Sequence, residues 1–142
     1  MITLHADTSH VIQLAIGPAF MLAAIAGTLT VLTNRLARVN DRTHKRRDDR
    51  GDADASLQAE IDVELATLSR RARVLNAAIC MSAACGMIVC LLIGSLFVAN
   101  ELGLAFDRPV AVLFLSAMGA LIGTYLLMLV EIFVAQHSIN PT

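Results

Sequence analysis

The sequence predicts an all-α membrane protein of three transmembrane helices, with a cytoplasmic helical hairpin between the first and the second. Three observations carry that reading. Of the 142 residues, 56% are hydrophobic and only 16% charged, against the ~45–50% apolar and ~25% charged content of ordinary soluble domains. No formal charge falls between Asp7 and Arg35, between Arg73 and Glu101, or between Arg108 and Glu131, which leaves uncharged runs of 27, 27 and 22 residues. At about 1.5 Å per residue each run crosses a hydrocarbon core of ~30 Å as a helix, the form that satisfies its own backbone in lipid. Third, ten of the eleven basic residues lie between Asn34 and Arg73, and basic residues in a short loop mark the cytoplasmic side. A soluble globule and a disordered chain are excluded, and three Cys are too few for a disulfide scaffold.

These runs give one membrane domain over residues 1–142, with spans at about 11–33, 74–99 and 109–134 around the hairpin 34–73. In the first span Ala24-Ile25-Ala26 resembles a cleavage site. No Lys or Arg precedes it, however, and the apolar run continues to Leu32, so the segment reads as a retained span and not a signal peptide. Gly17-Pro18 interrupts that span. From Pro18 to Asn34 a helix covers only about 25 Å, so the residues before Pro18 either continue it with a kink or form a separate outer turn. His10, Gln13 and Gly17 share a helical face there, as a polar vestibule or as a water-exposed end. The charge bias places the N-terminus outside, the Asn100–Arg108 turn outside, and the C-terminus in the cytoplasm.

The hairpin has its own pattern. Leu32, Leu36, Val39 and Thr43 carry the helical spacing beyond the first span, and Ile61, Leu65, Leu68, Ala72 and Leu75 alternate steps of four and three, the seam of packed helices. Asp48-Asp49-Arg50-Gly51-Asp52 supplies the turn, and Asp54 or Ser56 a cap. Folded antiparallel, the basic residues 42–47 lie beside the acidic start of the second helix. Arg35 and Arg38 then lie beside Arg70, Arg71 and Arg73. Those five form a candidate belt for anionic lipid headgroups; the plainer alternative is topology determination and snorkelling. His44-Lys45-Arg46-Arg47 abuts two acids and lacks interleaved aromatics, which argues against nucleic acid as a partner.

Within the spans, small residues recur at every fourth position: Ala15, Ala19, Ala23 and Gly27, then Ala78, Ser82, Gly86, Cys90 and Gly94, then Gly119 and Gly123. Such stripes let helices approach closely in lipid, and three helices carrying them have surplus faces, which predicts a homo-oligomer. Glu131, near the end of the third span, is costly there unless paired, with Arg35 or Arg38 as its natural partner. A buried polar cluster of Asn34, Arg35, Arg38, Asp41, Asn76 and Glu131 is therefore expected, as an interhelical clamp or an ion gate. Cys80, Cys85 and Cys90 sit five apart without a metal-ligand pattern, and no metal or cofactor is expected. His5, Asp7 and His10 form at most a weak outer metal site. No nucleophile–base pairing or phosphate loop occurs, so no catalytic residue is assigned.

Leu32-Thr33-Asn34-Arg35-Leu36-Ala37-Arg38-Val39-Asn40-Asp41-Arg42, with Ala15-Ile16-Gly17-Pro18-Ala19-Phe20 before it and Arg70-Arg71-Ala72-Arg73-Val74-Leu75-Asn76 after it, resembles a family of small bacterial membrane proteins catalogued as a domain of unknown function. The resemblance covers nearly the whole chain and implies an integral protein of the bacterial inner membrane, without supplying an activity. The expected function is non-enzymatic: a homo-oligomeric scaffold or accessory subunit acting through helix packing and a basic hairpin. The alternative is an oligomeric ion channel lined by the first helix and gated near Arg35 and Arg38.

Overall fold

The computed structural model is all-helical, in the order α1 (Thr3–Gly51), α2 (Ala55–Leu102) and α3 (Asp107–His137). It describes residues 3–51, 53–103 and 107–137, with side chains at 9–51, 53–103 and 108–136; of the candidate His5–Asp7–His10 group, His10 is exposed and the other two lie outside the described side chains. All three helices are long and apolar enough to cross a membrane. With 49 and 48 residues, α1 and α2 each measure over about 70 Å, more than twice a hydrocarbon core. The apolar run and the charged arm of the hairpin are thus one continuous helix in each case. Pro18 lies inside α1, which passes through it without a break, so no separate outer turn forms.

Local chemistry explains the ends. Asp54 stands at the start of α2, where its carbonyl accepts the first helical bond from the Gln58 N–H at 2.9 Å. The Gln58 side-chain amide donates back to the Ala53 carbonyl at 3.0 Å, which satisfies one more group in the tight connection. At the other end Gly103 takes φ +61°, and its N–H reaches the Asn100 carbonyl. A left-handed residue after the last helical turn is a common helix stop, and glycine adopts it without a Cβ penalty.

Burial follows a strict seven-residue repeat. In α1 the buried positions include Val11, Pro18, Ile25, Leu32 and Val39; in α2, Ile61, Leu68, Leu75, Ser82 and Val89, with Ala78, Cys85 and Leu92 as a second row; in α3, Ala117, Thr124 and Glu131. Seven residues are two turns of a slightly underwound helix, so the same narrow stripe keeps facing its neighbours, as in coiled coils. The stripe continues from the hairpin arms into the apolar runs. Three of its positions, Ser82, Thr124 and Glu131, are polar.

The chain divides into two compact units. One comprises residues 30–80 and 124–142 and has a core of Leu32, Val39, Leu68, Leu75 and Ala78, flanked by Leu36, Ala72, Ile79, Leu127 and Met128. The other comprises residues 1–29 and 81–123 and packs Ile25, Cys85, Val89 and Ala117 with Met21, Leu22, Leu29 and their neighbours. There the Cys85 thiol donates to the Ala117 carbonyl at 3.1 Å. The Ser82 hydroxyl is fully buried and has no hydrogen-bond partner among the described residues.

Of the striped small residues, Ala78 and Ser82 lie buried in the core rows, and the glycines make no close backbone approach within the chain. A Cβ at Gly86 would meet Ile25 Cγ2 at 3.7 Å, and one at Gly123 would meet Met81 Cε at 3.6 Å. Both are ordinary van der Waals contacts with side chains, so no backbone approaches closely at either glycine. Gly27, Gly94 and Gly119 have nothing within 4 Å, and Ala19 and Ala23 are exposed. Packing within the chain follows the heptad rows, in which Leu and Val alternate with small residues such as Ala78, Ser82 and Ala117.

Candidate functional site

The most concentrated chemistry is an arginine–glutamate–arginine junction that takes one residue from each helix. Glu131 on α3 is only 1% exposed, because it occupies the heptad row of Ala117 and Thr124. Arg35 on α1 donates through Nη1 to Glu131 Oε2 at 2.7 Å. Arg71 on α2 donates to Oε1 through Nη2 at 2.7 Å and Nε at 3.3 Å. Both carboxylate oxygens are thus engaged by charge-assisted bonds, one of them by two nitrogens of a planar guanidinium. The Arg35 side chain is 38% exposed and that of Arg71 19%. The buried partner is therefore the anion, and the two cations reach it from partly solvated positions.

The sequence positions each arginine in the same way. Arg35 lies three residues after Leu32 and four before Val39; Arg71 lies three after Leu68 and four before Leu75. Those offsets place a side chain beside the buried row. Arg38, Asn34, Asp41 and Asn76 sit one or two positions from a buried heptad residue, which turns them away. All four are exposed, so the expected six-residue cluster narrows to Arg35 and Glu131, joined by Arg71. Of the proposed headgroup arginines, Arg35 and Arg71 point to Glu131, while Arg38, Arg70 and Arg73 are exposed without a carboxylate partner among the described residues.

A ladder of ion pairs continues along α1 and α2. Glu64 receives Arg42 Nη2 at 2.7 Å on Oε1 and Arg46 Nε at 2.8 Å on Oε2, which repeats the pattern of one carboxylate between two arginines. Arg50 grips Asp62 with Nε and Nη2 at 2.9 and 3.0 Å. As the α1 number rises the α2 number falls, so the two arms are antiparallel. The α1 row changes character along the way, from Leu32, Leu36 and Val39 to Thr43, Arg46 and Arg50. The inner part of the hairpin is held by apolar burial, and toward the tip ion pairs flank the buried Ile61. Among the described residues no group of three or more His, Cys, Asp or Glu comes together to hold a metal ion.

Fold and site together define a class: a three-helix protein whose helices can each cross a membrane and whose single buried carboxylate among the described residues ties all three together. Residues 15–141 match the family described as protein of unknown function (DUF2721), and the chain belongs to that family. Neither the curated proteins nor the solved structures include a match.

Proposed function

We propose that the chain is a non-enzymatic scaffold or accessory subunit of the bacterial inner membrane, assembled as a homo-oligomer. In this reading α1 and α2 project their charged arms into the cytoplasm as a stiff hairpin. The observation that carries the proposal is the Glu131 junction. Its carboxylate has both oxygens taken by guanidinium groups of the same chain, which suits a clamp that fixes three helices, and a gate needs charges free to meet a passing ion. The hairpin side follows from the basic residues concentrated in 34–73. Oligomerisation is supported by Ala19, Ala23 and Gly27 on α1, small residues left uncovered in a helix built for lipid.

The channel alternative keeps one specific support: Arg38 on α1 is exposed and unpaired among the described residues, as a residue lining an oligomeric pore would be in an isolated copy. Single-channel and flux recording on the purified full-length protein in anionic liposomes separates the two readings. The scaffold reading expects correctly inserted, oligomeric protein and a silent bilayer. Ion-selective current that changes in Arg38→Ala would sink it in favour of the pore.

A further inference from the structure

We propose that Arg38, Arg70 and Arg73 bind the phosphate groups of anionic phospholipids where α1 and α2 leave the apolar layer. The inference rests on the membrane reading above and takes Arg38 as facing lipid, which sets it against the channel alternative. It starts from the charges at one level of the hairpin. Arg35 and Arg71 share a level because both reach Glu131. Arg38 is three residues further along α1, and Arg70 and Arg73 are one and two residues from Arg71, so all lie within about 5 Å of that level along the helix axes. Five guanidinium groups meet one carboxylate there, and that carboxylate is already shared by two of them.

The remaining three have little else to pair with. On α2 there is no acid between Glu64 and Glu101. Towards the tip, Glu64 and Asp62 are engaged by Arg42, Arg46 and Arg50. Asp41, one turn beyond Arg38, is exposed and makes no ion pair among the described residues. Arg70 and Arg73 are three apart on one helix face, where Cβ atoms are roughly 5–6 Å apart and like charges repel unless an anion bridges them. A phosphodiester offers two non-bridging oxygens to such a pair, and guanidinium binds phosphate through paired N–H donors. The position fits that ligand, because the uncharged run of α2 begins at Val74 and that of α1 ends at Asn34, the depth at which headgroups meet the hydrocarbon.

The test is native mass spectrometry of the full-length protein released from mixed phosphatidylglycerol and phosphatidylcholine vesicles, counting retained lipid. The expected result is preferential retention of phosphatidylglycerol. That preference should fall by about fivefold for each arginine neutralised in Arg38→Gln, Arg70→Gln and Arg73→Gln, and stay unchanged in Arg47→Gln nearer the tip. Arg70→Lys with Arg73→Lys keeps the charge and should keep most of the preference, which separates loss of the site from loss of the fold. Equal retention of the two lipids would overturn the proposal, as would an undiminished preference in the triple glutamine variant. An inorganic phosphate arm at matched chloride ionic strength distinguishes the source. Unchanged retention supports the lipid, and displacement by phosphate would overturn the lipid assignment in favour of a free oxyanion.

Discussion

Arg35 and Glu131 are 96 positions apart in the chain and meet at 2.7 Å, with Arg71 bound to the carboxylate's other oxygen. The three side chains are unequal in their surroundings, and that inequality ranks their substitutions. Glu131→Gln removes the only anion and leaves two guanidinium groups facing each other. Loss of one partner from a buried ion pair costs about 3–5 kcal/mol when the charge left behind is buried. Both cations left here are partly solvated, so this variant should fall below that range. Arg71→Gln should cost less, and Arg35→Gln least, because Arg35 is the more solvated cation and makes the single bond. Thermal unfolding in detergent, with a double-mutant cycle on Arg35 and Glu131, checks the order. An Arg35 variant as damaging as the Glu131 variant would refute it.

The hairpin tip should respond to salt where the rest does not. Its pairs are exposed or half-exposed, each worth under about 1 kcal/mol, and at ~1 M salt the screening length shrinks to about 3 Å. Hydrogen exchange should show residues 46–62 opening faster at high salt or in Glu64→Gln, while residues 32–39 and 68–75 keep their protection. Uniform behaviour along the hairpin would mean that the ladder contributes nothing locally.

The glycines divide into two groups by geometry. Gly86→Ala and Gly123→Ala would place a methyl at ordinary contact distance from a side chain. Both should be neutral or stabilising by up to about 1 kcal/mol, through the reduced freedom of the unfolded chain. Gly103→Ala forces a left-handed conformation on a residue with a Cβ and should cost about 1–2 kcal/mol. Melting temperatures of the three variants decide the matter, and a large loss at Gly86 would contradict the packing described here.

Ser82 offers a gain. A buried hydroxyl without a partner carries an uncompensated desolvation cost of about 1–3 kcal/mol. Ser82→Ala, which keeps the residue small, should therefore raise the melting temperature. A lowered value would show that the hydroxyl has a partner when the protein is in its membrane.

Much of this was legible in the sequence. The helices follow from charge-free runs, and the hairpin seam from Ile61, Leu68 and Leu75. The pairing of Glu131 with the first helix follows from matched depth. Arg71 does not stand out as its second partner because five arginines crowd one level, and depth alone does not rank them. The signal that does is angular: Arg35 and Arg71 each stand three after and four before buried leucine or valine, and Arg38, Arg70 and Arg73 do not. The glycine stripes do not mark the faces that pack within the chain, for a related reason. Composition shows where a helix is thin, but which face turns inward is set by the heptad rows, and Gly27, Gly94 and Gly119 fall outside them.

The placement of the buried Glu131 carboxylate on α3 also fixes an order of events during synthesis. The ribosome releases α1 and α2 first, and their arginines at 35 and 71 then face each other across the young hairpin with nothing between them. The last helix made brings the anion that both require. Until it arrives the first two helices hold an unfinished socket, so a chain truncated before Glu131 should be recognised by the cell as incomplete and degraded.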